Sequence, residues 1–187
     1  DRSDLFTKPG REWLQKTSLR ETDRFKMDLL IEELSMYENQ LDRIEKTIHE
    51  YAKKAPRRIA EARELLRTIP GVGEVTADVV VSELGDVDRF ASQKKVWSYA
   101  GLVPGRRQSA EKETNLPITK EGSKLLRWVV VEAAWCAVQY SQKWKRIYES
   151  MLERTSNKKK AIVAVARKLL CVMTALLRRG CKYSVAA

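Results

Sequence analysis

The chain has 187 residues, 43% of them hydrophobic and 33% charged, and 36 Lys/Arg against 25 Asp/Glu leave a formal net charge of +11. That length allows one modest core plus an appendage. The charge argues for a polyanionic partner, and the apolar runs, such as 128–131 and 161–166, are too short to span a membrane.

The positive charge is uneven. Residues 1–105 carry 18 Lys/Arg against 19 Asp/Glu, while residues 106–187 carry 18 against 6. The second half is therefore the expected nucleic-acid-binding half. No membrane partner and no signal peptide are expected. Cys136, Cys171 and Cys181 show no CxxC spacing and read as thiols of a reducing compartment. His49 is the only histidine and has no neighbouring ligand, so no metal site and no Ser–His–Asp triad can be drawn from local sequence.

Residues 1–17 contain Pro9-Gly10 and read as a linker remnant, partly disordered or a short helix, at the cut end of a longer protein. From Met27 the pattern is clear. Met27, Leu30, Leu34, Tyr37, Leu41, Ile44, Ile48 and Tyr51 alternate at spacings of three and four, a heptad seam. A coiled-coil helix is predicted over 18–55, ended near Pro56. So long a helix needs a partner for its seam, a second copy or another helix, and a homo-oligomer is the expectation.

Residues 56–187 read as a compact helical domain. Residues 59–69, Pro70-Gly71-Val72-Gly73 and 74–84 have the form of a helix-hairpin-helix, over about 59–85. Its second helix offers free N–H groups to a phosphate, with Gly71 and Gly73 as candidate contacts. An ordinary turn between two helices has the same form, and Glu74 opposes an anion. A short helix with Ser92 as cap follows. A connection of about twenty residues, 101–122, comes next, and long connections are often functional. It holds Arg106, Arg107 and Ser109. Lys120, Lys124 and Arg127 follow at spacings of four and three, which on a helix stacks cations on one face. A hydroxyl among these cations suits a phosphodiester, and a solvated charged loop has the same composition.

Ser123 can cap a helix over 124–140, with Leu125, Val129, Ala133, Cys136 and Tyr140 as its apolar stripe. Another helix carries Trp144, Ile147, Tyr148 and Met151. The last, over 158–179, repeats Ile162, Val165, Leu169, Val172 and Leu176 and ends at Gly180. Lys158, Lys159 and Lys160 stand at its first turn, where cations oppose the helix dipole; a phosphate backbone there would offset that, and a solvated run is the plainer alternative. The fold class is all-α.

Five pieces in this order, Ile69-Pro70-Gly71-Val72-Gly73, Ala100-Gly101-Leu102-Val103-Pro104, Ser109, Thr119-Lys120-Glu121-Gly122-Ser123-Lys124-Leu125-Leu126-Arg127 and Val131-Glu132-Ala133-Ala134, resemble one family. It is the C-terminal transposase domain of the serine-dependent, DEDD-type insertion-sequence recombinases, which are guided by a bridge RNA. The match runs over about 60–180, and the preceding helix resembles that family's coiled coil. Where the family often has glycine after the serine, this chain has Ala110.

The resemblance implies that Ser109 attacks a DNA phosphodiester and forms a phosphoserine link. It implies Mg²⁺ held by an acidic tetrad in a RuvC-like domain that this chain does not contain, so the chain alone is expected to be inactive. DNA and a guide RNA are the implied partners, in the cytoplasm at the nucleoid of a bacterium or archaeon. Arg106, Arg107, Lys120, Lys124 and Arg127 are candidates to hold phosphate oxygens as charge builds. The alternative is a non-catalytic helix-hairpin-helix module that binds nucleic acid and oligomerises.

Overall fold

A computed structural model describes residues 5–109 and 112–184, with the backbone alone described over 106–109 and 112–117. The chain divides into two compact units, 1–55 and 56–187.

In the first unit, α1 (Lys8–Lys16) begins at Thr7, whose hydroxyl accepts from the Gly10 amide. Proline at the second helical position suits this start, where its missing N–H is not needed. Helix α1 lies against α2 (Glu21–Lys53). Arg11 grips the Glu38 carboxylate with two bonds of 2.6 and 2.8 Å. Arg24 reaches back to the carbonyls of Leu14 and Thr17, satisfying the end of α1. The predicted 18–55 helix is observed as the single helix α2, without its first turn, and the 1–17 segment holds the short helix α1. None of the 33 residues of α2 is buried.

In the second unit, α3 (Arg57–Arg67) and α4 (Glu74–Leu84) pack together, and Arg63 of α3 is ion-paired with Glu74 and Asp78 of α4. A short 3₁₀ turn (Val87–Arg89) leads to α5 (Gln93–Tyr99). Strands β1 (Pro104–Ser109) and β2 (Lys112–Ile118) form an antiparallel hairpin. Helices α6 (Lys124–Tyr140), α7 (Gln142–Thr155) and α8 (Lys158–Arg179) complete the unit.

The core is built around α8, which meets α3, α5, α6, α7 and the 3₁₀ turn. Nine of its residues are buried, Ile162, Val165, Leu169 and Leu176 of the predicted stripe among them. Asn157 caps its start, accepting from the Lys160 amide at 3.0 Å, and Gly180 (φ +61°) ends it. Helix α6 buries Leu126, Val129, Val130, Ala133, Ala134 and Ala137. The predicted stripe is half right: Leu125 and Tyr140 are 48% and 78% exposed. The helix carries apolar residues on more than one side, and contact with α4 and α8 selects the side rich in alanine, which allows close approach.

The turn between α3 and α4 is part of this packing. Gly71 has φ +86°, and a Cβ there would stand 2.4 Å from the Ala137 amide nitrogen of α6. Gly73 faces open space. Gly71→Ala is therefore expected to destabilise the fold by about 3 kcal/mol, from overpacking and backbone strain together. Gly73→Ala should cost no more than about 1 kcal/mol as a weaker cap. Denaturant unfolding of the two variants measures the difference.

Candidate active site on a β-hairpin

The 101–122 segment is not an irregular loop. Residue pairing runs Arg106↔Asn115, Arg107↔Thr114, Gln108↔Glu113 and Ser109↔Lys112, with an irregularity between Pro104 and Arg106. Sequence pattern does not show this ribbon, because neither strand alternates apolar and polar residues as a half-buried strand would. Facing residues of an antiparallel pair share a face. The register therefore sets Ser109, Lys112, Arg107 and Thr114 on one face, and Arg106, Gln108, Glu113 and Asn115 on the other. Ser109 is the last residue of β1. Ala110 lies outside the described residues.

The ribbon is rooted in the core. Ala100 and Leu102, just before β1, are fully buried, as is Leu126 of α6. The Thr119 amide donates to Val103 O at 2.9 Å and the Lys120 amide to Gly101 O at 3.3 Å. Lys120 adopts a left-handed backbone (φ +56°) and lies before α6, which starts at Lys124. The predicted single helical face of Lys120, Lys124 and Arg127 is therefore broken. Lys120 and Lys124 are exposed at the root of the ribbon. Arg127 turns inward: its Nη1 donates to Ala100 O at 3.3 Å and Lys120 O at 3.2 Å. Ser123 caps α6, accepting from the Leu126 amide at 3.0 Å.

Sequence reading did not single out Arg167. Its Nε donates to Leu102 O at 2.7 Å, and half-burial lowers its pKa from the ordinary guanidinium value. The sole signal was its place at the end of the apolar run 161–166. Beside it, the Trp97 indole N–H donates to Arg167 O at 3.2 Å and lies 3.1 Å from the Cys171 sulfur. Of the remaining candidates, Gly71 is packed against α6, while Gly73, Lys158, Lys159 and Lys160 are exposed at helix starts. The helix starts and the ribbon are separate places in the chain, and Glu74 stands in the first turn of α4.

Among the described residues no group of three or more His, Cys, Asp and Glu is placed to hold a metal. The Mg²⁺ that the resemblance implies is expected in a separate RuvC-like domain rather than on these residues. No described helix is long and apolar enough to cross a membrane.

Residues 63–149 match the family model described as Transposase IS116/IS110/IS902 family. This segment is similar to the transposase domain of the IS110/IS116 family. It takes in α4, the whole β-hairpin and α6. The transposase for insertion sequence element IS1111A of Coxiella burnetii is 30% identical over 143 residues, covering 74% of this chain and 39% of that protein. The pilin gene-inverting protein of Moraxella bovis is 32% identical over 121 residues, 62% of this chain and 37% of that protein. The transposase for IS1328 of Yersinia enterocolitica is 36% identical over 83 residues, 44% and 24% respectively. The chain thus spans less than half the length of each of these relatives.

The thiols provide a check on packing at the hairpin root. Burial raises the Cys171 pKa, partly offset by the Trp97 hydrogen bond, so less thiolate is present at a given pH. Cys181 is exposed. Maleimide at neutral pH should modify Cys181 first, with Cys171 slower by about tenfold or more. The Cys171 rate should keep rising with pH above the ordinary thiol range, as read by peptide mapping.

Proposed function

We propose that this chain supplies the serine nucleophile for DNA strand cleavage and exchange in a transposase. The observation that carries this reading is the position of Ser109. It closes β1 opposite Lys112, in a basic ribbon inside the segment that matches the transposase family. A two-stranded ribbon is also narrow enough to enter a major groove.

In this reading Ser109 Oγ bonds to a backbone phosphorus as the bond from phosphorus to a deoxyribose oxygen breaks. The seryl proton goes to a base, and the departing oxygen takes up a proton. A hydroxyl of another strand later attacks the phosphoserine, which restores a phosphodiester and frees the serine. Arg107 and Lys112, on the face of Ser109, are proposed to meet the charge that builds on the phosphate oxygens. Arg106 lies on the opposite face and suits a neighbouring phosphate, as do the exposed Lys120 and Lys124 at the root. No step is assigned to a metal on these residues. The base, and the Mg²⁺ expected by resemblance in a RuvC-like domain, belong in this proposal to the rest of the enzyme. The chain alone is then inactive, and its place is at the nucleoid.

A second role is assembly. Leu30, Tyr37, Leu41, Ile44, Ile48 and Tyr51 of α2 are all more than half exposed, an apolar seam that a second copy would cover. A guide RNA is a further proposed partner of the basic half. The non-catalytic alternative draws support from the open start of α4 at Gly73, which has no side-chain cap.

In the full-length enzyme, Ser109→Ala should remove covalent DNA–protein adduct while leaving DNA binding within about threefold; adduct mapped to another residue would exclude the nucleophile and favour the binding module. Lys120→Gln with Lys124→Gln should lower the slope of log affinity against log salt by about 2. Leu41→Asp with Ile48→Asp should halve the solution mass of the 187-residue chain by light scattering. A monomer before and after would remove the oligomer.

A further inference from the structure

Two arginines from different helices converge on the root of the hairpin. Arg127 of α6 joins its two ends: one nitrogen, Nη1, donates both to Ala100 O before β1 and to Lys120 O after β2. Arg167 of α8 holds Leu102 O, two residues along from Ala100. The backbone is shaped to admit the first of these. Gly101 has φ +64°, and a Cβ there would stand 2.5 Å from Arg127 Nη1 and 2.8 Å from Glu121 O. Guanidinium charge spent on backbone carbonyls is not what a phosphate contact requires. It is what a brace requires, because a charged donor bonds a carbonyl about twice as strongly as a neutral one.

We infer that Arg127, assisted by Arg167, is a positioning residue that sets the angle of the serine ribbon on the core; this rests on the reading of Ser109 as nucleophile. The reason is leverage. A strand rises about 3.3 Å per residue, so the six residues of β1 put Ser109 roughly 20 Å from the root. At that length a tilt of about 3° moves the tip by about 1 Å, and a misplacement of that size can lower a rate about 100-fold. A paired ribbon of two strands has little stiffness of its own. Its aim must be set where it joins the helices.

Arg127→Lys and Arg127→Gln separate bracing from charge. Lysine keeps the charge, but its shorter side chain ends one bond short of the Nη1 position that reaches both carbonyls. Glutamine keeps a neutral donor. In the full-length enzyme both variants should form the Ser109–DNA adduct about 10- to 100-fold more slowly in single turnover, with DNA affinity within about threefold of the parent. In the 187-residue chain, hydrogen exchange at the Thr119 and Lys120 amides should speed up about tenfold or more in both, with amides of α8 unchanged. Unchanged exchange at those two amides would overturn the inference. So would a lysine variant at the parental rate together with a glutamine variant that loses affinity and about 1 from the salt slope, the signature of a phosphate contact. The failure of Ser109 as nucleophile is seen separately, as an adduct that survives Ser109→Ala, and the amide exchange still decides the brace.

Discussion

Burial of α8 is the constraint on which residues 56–187 depend. Its buried face runs from Ala161 to Leu176, and each large aliphatic side chain removed from water there contributes about 1.5–3 kcal/mol. By contrast α7 buries a single residue, Trp144. With its apolar face committed to the core, α8 presents its arginines at the margin, where they hold loops. Arg178 bonds the carbonyls of Val87 and Phe90 and the Asp88 carboxylate, fixing the 3₁₀ turn. Arg167 does the same for Leu102 at the base of the ribbon. One helix thereby stabilises the unit and places the segment that carries Ser109.

The ribbon is the opposite kind of structure. It has two strands, and no third strand is described beside it. A hairpin of this kind is marginal in water on its own. Its definition comes from the root, where Ala100, Leu102 and Leu126 are buried and the Arg127 guanidinium joins both ends. In the proposed function such an arm would carry Ser109 away from the helical core toward a duplex, with the cations of the root near the phosphate backbone. The local cost is a set of left-handed residues, Gly101, Lys120 and Gly122, crowded into the junction.

Much of the helical architecture was legible because helix signals are local. The 3.6-residue repeat of α8, the glycine end of that helix, the Ser123 cap and the breaks at Pro56 and Gly85 all act within a few residues of themselves. The charge imbalance was legible for the same reason, since it needs no knowledge of contacts. The ribbon was not. Its strands have no buried face to impose alternation, so their pairing left no hydropathy trace. The role of Arg127 was hidden as well. Its spacing from Lys124 describes a cationic surface, and the carbonyls that it bonds lie 27 and 7 residues back in the chain.

The amino-acid sequence by itself determined the helices, their ends, the basic second half and the candidacy of Ser109. Tertiary structure alone decided which side of α6 is buried, that Gly71 packs closely against α6, and that Lys112 stands opposite Ser109 while Arg127 faces inward. The division follows from range. A helix closes its hydrogen bonds within four residues, so its pattern is written in consecutive sequence. Close approach of two backbones, strand register and the direction of a long cationic side chain depend on partners far along the chain, and these become neighbours only when the core has formed.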